Sequence, residues 1–276
     1  MIKLNGEIID YSLFPNNEIK MPNVDDFVFD GNNHTNTIEL IYDNSIDLIR
    51  LQFIKRYLDD RYSNTKINLL MKYIPYERMD RKTENQMFTC KYFCQMINDL
   101  KFNEVIVLDP HSNVCIGILE RCVQIKLENI IGEVIGNIDG KIDYIFFPDN
   151  GANKKYTEIL ESVNIPKIWG NKHRDLNTGE ITDYDIIGNY DLKDKNILIV
   201  DDICVKGYTT LFASKKLKEL GANKVYFYCS HCEDDIYNGK LLKTDYIDKI
   251  FTTDSLRFDE HSKIEKLYIN GIMVVE

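Results

Sequence analysis

The sequence predicts an α/β fold with a mostly parallel sheet. Short apolar runs of strand length alternate with amphipathic segments of helical period. Nearly every run opens onto a charged or glycine-bearing segment, as expected where a parallel sheet presents ligands at its carboxyl edge. The chain is 44% hydrophobic and 28% charged, an ordinary globular composition, and its 276 residues suffice for one large domain or two of usual size.

The elements follow in order. Ser45 is placed to cap a helix carrying Ile46, Ile49, Phe53, Ile54, Tyr57 and Leu58 on one broad face. Residues 67–71 read as a buried strand. Residues 91–100 read as a helix with Tyr92, Phe93, Met96 and Leu100 inward, and 104–108 as the next strand. The polar, glycine-containing stretch 132–140 is the expected domain boundary. It separates a domain of residues 1–132 from one of 133–255, with 256–276 as a C-terminal tail. Strands are expected at 144–147, 197–200 and 225–229, and helices at 156–163 and 211–220, the last stopped by Gly221.

Bulk properties exclude some classes. The formal net charge is −10 and no basic run occurs, which argues against nucleic acid as a partner. The first 14 residues lack a signal-peptide core, and no apolar run reaches membrane-spanning length, so no membrane is expected. Seven cysteines, an odd number, point to reduced thiols in a cytoplasm. Cys229-Ser230-His231-Cys232 has the form of a metal knuckle, but no second Cys/His pair accompanies it, so these are read as structural thiols.

Five segments carry chemistry. In residues 196–222 an apolar run ends in Asp201 and Asp202. A short loop with Lys206, Gly207, Thr209 and Thr210 follows, then a helix. Loop amides and a helix N-terminus hold phosphate, and adjacent carboxylates suit ribose hydroxyls or magnesium. Residues 72–82 bring Arg78, Arg81 and Lys82 to a strand end as phosphate ligands, with Tyr73 or Tyr76 able to stack on a base; standing alone, the segment would read as a solvated loop. Asp109 and His111 follow another strand as cation ligands or structural groups. Asp149, beside Gly151, is either a helix cap or a ligand. Lys172 and Arg174, two residues apart, share a face if extended and would stabilise a transferring phosphoryl group.

In order and spacing these segments resemble ribose-phosphate diphosphokinase, from about residue 14 to residue 255. The family's ATP segment YxRQDRK reads here Tyr76-Glu77-Arg78-Met79-Asp80-Arg81-Lys82. Its DLH, whose His binds magnesium, is Asp109-Pro110-His111. Its PDHG, whose Asp lies near a second metal, is Pro148-Asp149-Asn150-Gly151, and its catalytic KRR is Lys172-His173-Arg174. Its FxDGE loop, which reaches the adenine of a neighbouring subunit, has a counterpart in Phe14-Pro15-Asn16-Asn17-Glu18.

The resemblance implies two type I phosphoribosyltransferase-like domains and a Mg2+-dependent transfer from ATP as co-substrate. It assigns catalysis to Lys172 and Arg174, and ATP binding to Phe14, Asn16, Glu18, Arg78, Met79 and Arg81. Metal binding falls to His111 and Asp149. Ribose-phosphate binding falls to Asp201, Asp202, Val205, Lys206, Gly207, Tyr208, Thr209 and Thr210. It also implies a homo-oligomer, at least a dimer.

The departures matter. Too few residues precede Phe14 for the helix the family has there, and Met79 replaces a glutamine. The family's DDxxDTxGT loop becomes Asp201-Asp202-Ile203-Cys204-Val205-Lys206-Gly207-Tyr208-Thr209. A tyrosine ring replaces a glycine where backbone would close on a terminal phosphate, and a lysine offers a mobile charge. Such a loop suits a 5-phosphate esterified to something larger, such as ADP-ribose. The chain is similar to a phage branch that makes ADP-ribose 1-diphosphate for rebuilding NAD, which would act in the host cytoplasm. Ribose 5-phosphate is the alternative acceptor. A type I phosphoribosyltransferase would share residues 201–210 but need neither Arg78 nor His111. A non-catalytic regulator of an active synthetase is the reading from another class.

Overall fold

Continuous apolar runs make strands buried on both faces, and here they build two open, mostly parallel sheets. The computed structural model describes residues 1–31, 34–174 and 181–269, with backbone alone for 172–174 and 181–183. The described chain forms two compact units, Met1–Ile125 with Ser255–Arg257, and Lys126–Asp254 with Phe258–Ile269.

The first unit contains β1 (Ile2–Leu4), β2 (Glu7–Ile8), β3 (Ser12–Leu13), β4 (Ile19–Lys20) and β5 (Thr35–Leu40). It continues with α1 (Ser45–Arg61), β6 (Lys66–Leu70), α2 (Thr89–Asp99), β7 (Val105–Val107), α3 (Asn113–Ile118) and β8 (Cys122–Gln124). Its sheet has the order β2-β1-β5-β6-β7-β8. β5 to β8 run parallel, while β1 is antiparallel to both β2 and β5. β3 and β4 form a separate hairpin.

The second unit contains α4 (Leu127–Gly136), β9 (Tyr144–Phe147), α5 (Asn150–Ile159), β10 (Lys167–Arg174), β11 (Ile181–Ile187) and β12 (Asn196–Cys204). It ends with α6 (Tyr208–Glu219), β13 (Lys224–Cys232), β14 (Lys249–Thr253) and β15 (Ile264–Leu267). Its sheet runs β11-β10-β9-β12-β13-β14-β15, all parallel except β11 at one edge. The glycine-bearing stretch 132–140 begins inside α4, and residues beyond 255 contribute β15.

Each sheet has its own core. In the first, Ile38, Leu69, Val105 and Val107 pack against Leu51, Ile54, Leu58, Phe93 and Ile97 of α1 and α2. In the second, Phe146, Ile197, Ile199, Val225, Phe227 and Ile250 pack with Ala213 and Leu217 of α6.

Two helices differ from expectation. α1 is capped by Asn44, whose side chain accepts from the Ile46 amide at 2.9 Å, and Ser45 is its first residue. It buries Leu48, Leu51, Ile54 and Leu58 together with Asp47, Arg50 and Lys55, and leaves Ile49, Phe53 and Tyr57 exposed. Internal pairs admit the charges: Arg50 reaches Asp47 at 2.8 Å, and the Lys55 ammonium reaches Asp59 at 2.5 Å. On α2 it is Cys90 and Cys94 that turn inward with Phe93, while Tyr92 faces out. Small thiols pass for neutral residues in an apolar pattern yet are among the most buried side chains.

Candidate active site

Five of the segments singled out in the sequence follow the carboxyl ends of parallel strands: 72–82 after β6, 109–111 after β7, 148–151 after β9, 172–174 ending β10, and 201–210 ending β12. In each unit one edge of the sheet therefore gathers the candidate residues.

In the second unit Asp149 caps α5 by accepting from the Ala152 amide at 2.9 Å. Capping does not decide against ligation, because a carboxylate has two oxygens. Gly151 keeps this corner narrow, since a Cβ there would lie 3.1 Å from Asp149 Oδ1. Asp201 and Asp202 are half-buried on β12, which runs on to Cys204, the register partner of Cys232. The Asp202 amide donates to Asp201 Oδ1 at 3.0 Å, and the Ile203 amide to Asp202 Oδ1 at 2.7 Å. Lys155 on α5 stands 3.6 Å from Asp202 Oδ2.

The expected loop of residues 206–210 is shorter than its sequence suggests. Only 205–207 are turn, and α6 starts at Tyr208. Gly207 takes the left-handed conformation, φ +70°, just before the helix, and its carbonyl accepts from the Leu211 amide at 2.9 Å. Tyr208, Thr209 and Thr210 thus form the first turn, whose amides point out of the helix end. The Thr210 side chain is buried, whereas the Tyr208 ring is 48% exposed. Lys206 pairs with Asp235 at 3.5 Å.

Tyr184 on β11 joins this site without any signal in the sequence. Its hydroxyl donates to the Pro148 carbonyl, one residue before Asp149. Burial pushes its phenol well up, and the charges of Asp149 and Asp201 push it further, so it stays protonated as a donor. Lys172 and Arg174 lie in β10, where the backbone register shifts between His173 and Arg174. Which way their side chains face lies outside the described residues.

In the first unit the segments after β6 and β7 are held together. The Leu108 amide donates to the Lys72 carbonyl at 3.0 Å, and the His111 amide to the fully buried Glu77 Oε2 at 3.0 Å. Asp109 is buried at φ +43°, and His111 is exposed. Arg78 and Arg81 are exposed, Met79 half-buried. Of the two tyrosines expected to offer a face to a base, Tyr76 alone is half-exposed. Tyr73 is buried, and Tyr76 packs on Phe93 and Tyr42 at ring separations of 5.7 and 6.2 Å. Behind them the Lys72 ammonium is buried against Glu39 at 2.8 Å, and Glu39 also meets Lys3 at 2.9 Å. Phe14, Asn16 and Glu18 form the tip of the β3–β4 hairpin. The Phe14 amide donates to the Glu18 carbonyl at 2.9 Å, Asn17 turns the chain at φ +65°, and the Phe14 ring is 46% exposed.

No family model matches the chain. The ribose-phosphate pyrophosphokinase of Sulfurisphaera tokodaii is 27% identical over 201 residues, 71% of this chain and 67% of the relative. That of Listeria ivanovii is 28% identical over 214 residues, covering 75% and 65%, and that of Marinomonas sp. is 26% identical over 249 residues, covering 84% and 74%. The chain thus spans about two thirds of the length of the first two of these relatives and about three quarters of the third. Phosphoribosylpyrophosphate synthetase from Mycobacterium smegmatis superposes with a TM-score of 0.70 at 19% identity, covering 96% of this chain and 87% of that one, a likeness of fold. Over most of its length the chain is a homologue of the ribose-phosphate pyrophosphokinases, transferases, and it carries their α/β fold.

Proposed function

We propose that the chain is an ATP-dependent diphosphokinase. The anomeric hydroxyl of a ribose 5-phosphate moiety attacks the β-phosphorus of ATP, the bond from that phosphorus to the α,β-bridging oxygen breaks, and AMP leaves. The observation that carries the reading is the arrangement of five family-like segments, each at the carboxyl end of a parallel strand. In open α/β sheets that edge is where ligands bind.

Within this reading Lys172 and Arg174 offset the charge that builds on the transferring group. Asp201 and Asp202 orient the ribose hydroxyls. Lys206 and the amides of Gly207, Tyr208, Thr209 and Thr210, with Val205 as the hinge before them, receive the 5-phosphate. Phe14, Asn16, Glu18, Arg78, Met79 and Arg81 hold ATP. The exposed hairpin tip suits delivery of Phe14 to a neighbouring copy, hence at least a homodimer.

The donor set fits magnesium. Asp149 follows β9 and Asp201 lies on its parallel neighbour β12, which places two hard oxygen donors at the same edge of the second unit's sheet. His111 in the first unit would hold one Mg2+ and Asp149 in the second another, each of which would neutralise phosphate charge.

The acceptor we infer is ADP-ribose ahead of ribose 5-phosphate. Tyr208 places an exposed ring at the helix mouth, and Lys206 is surface-held by Asp235, so a phosphate carrying a second group meets no closed backbone cradle. The test is AMP release by purified protein with Mg-ATP and either acceptor. AMP formed with ADP-ribose alone upholds both claims. AMP formed mainly with ribose 5-phosphate keeps the chemistry and overturns the acceptor. AMP with neither overturns the diphosphokinase reading.

A further inference from the structure

The Cys229-Ser230-His231-Cys232 segment lacks a second ligand pair in the sequence, but the fold brings one more ligand to it. Cys204, at the end of β12, is the register partner of Cys232, and the Sγ atoms of Cys204, Cys229 and Cys232 lie within 4.8 Å of one another, all buried. The same gathering recurs in the first unit with Cys90, Cys94 and Cys115. Six of the seven cysteines thus sit in two buried trios. A buried lone cysteine is a small hydrophobe and needs no further role. Three converging thiols in one core are a poorer filling than the branched aliphatics around them, and a better ligand set.

From this geometry we propose that Cys204, Cys229 and Cys232 form a thiolate site for one thiophilic d10 cation, zinc or copper(I). Metal–sulfur bonds of about 2.3 Å set sulfurs about 3.8 Å apart, so closing the trio on an ion moves each by about 1 Å or less. The spacing has room for one ion, not for an iron–sulfur cluster. Soft thiolate ligands select these cations over magnesium, which keeps the site chemically separate from the oxygen-rich edge above it. Binding expels the thiol protons to solvent and replaces three weak S–H donors by three bonds. The ion would clamp the end of β12 to the end of β13 just below Val205. A backbone bond from the Glu233 amide to the Cys204 carbonyl, at 2.9 Å, already closes that corner. The inference does not depend on the proposed reaction, because it rests on strand register and the burial of the three thiols alone.

The experiment loads the full-length reduced protein with Zn2+, or with Cu(I) under anaerobic conditions. After desalting, bound metal per chain is read by elemental analysis for wild type and Cys229→Ser. Co2+ in place of zinc adds a thiolate-to-metal charge-transfer band in the near ultraviolet. The expected result is one equivalent fewer in the variant than in wild type, with loss of the matching part of the cobalt band. Retention of zinc only, or of copper(I) only, supports the site and names the ion. Equal stoichiometry in wild type and a folded variant overturns it. Should the variant not fold, wild type that retains neither ion after loading overturns it alone.

Discussion

A Cβ on Gly170 would stand 2.1 Å from the Tyr184 hydroxyl oxygen, so the ring of β11 occupies the space that β10 leaves empty. From there Tyr184 reaches the Pro148 carbonyl, and the charges of Asp149 and Asp201 help to keep its phenol protonated. G170A forces the ring out. Overpacking of this kind costs about 1–3 kcal/mol. The urea midpoint should fall accordingly, and a midpoint equal to wild type would show that Tyr184 has another place to sit.

Lys172 is assigned to charge developing during transfer. K172A should lower kcat by about 100-fold or more while the KM for ATP stays within a few-fold, the pattern of an interaction made only in the transition state. Steady-state AMP release decides it, and near-normal turnover would remove Lys172 from that role.

The buried Lys72–Glu39 pair predicts an acid-dependent loss of stability. Burial pushes the Glu39 carboxyl up, but the Lys72 ammonium, followed by Lys3, holds it below its ordinary value. A carboxylate lowered in the folded state contributes stability above its unfolded value, and that contribution is lost as pH falls through the folded value. E39Q leaves the Lys72 charge buried without its carboxylate and should cost about 3 kcal/mol at neutral pH. Denaturation midpoints of wild type and E39Q should differ most near pH 7 and converge below about pH 4. A gap that stays constant through that range would contradict the assignment.

At Gly207 the left-handed φ and the Leu241 Cδ2 atom, 2.6 Å from a Cβ built there, both oppose a side chain. G207A should cost roughly 1 kcal/mol from the conformation alone. It should also raise the acceptor KM several-fold while leaving that for ATP unchanged, since only the phosphate turn moves. Initial-rate kinetics with each substrate varied in turn separates the two.

The strands were readable because buried parallel strands are continuous apolar runs: residues 144–147 and 197–200 contain nothing else, and only Asn68 interrupts 67–71. Helix faces were harder. α1 has two apolar stripes, and period alone cannot say that Leu48 and Leu51 go inside while Phe53 and Tyr57 stay out. The acidic pair at Asp201 was legible from its position at the end of an apolar run, although β12 continues through it to Cys204. The nearness of Tyr184 to Asp149 was not, because an antiparallel edge strand reached from 35 residues further along the chain makes it. The fate of the cysteines was equally hidden, since Cys204 meets Cys232 only through strand register.

Gly239 was passed over in the sequence, yet a Cβ on it would fall 2.1 Å from the Lys206 carbonyl oxygen. With Leu241 behind Gly207, this makes residues 236–241 a mould in which the turn before α6 is cast. Grafting 201–210 into another chain would carry the letters without the mould, and the transplanted turn would relax to its host's shape. Substitutions in 236–241 can therefore reshape the turn before α6 without altering a residue of that turn.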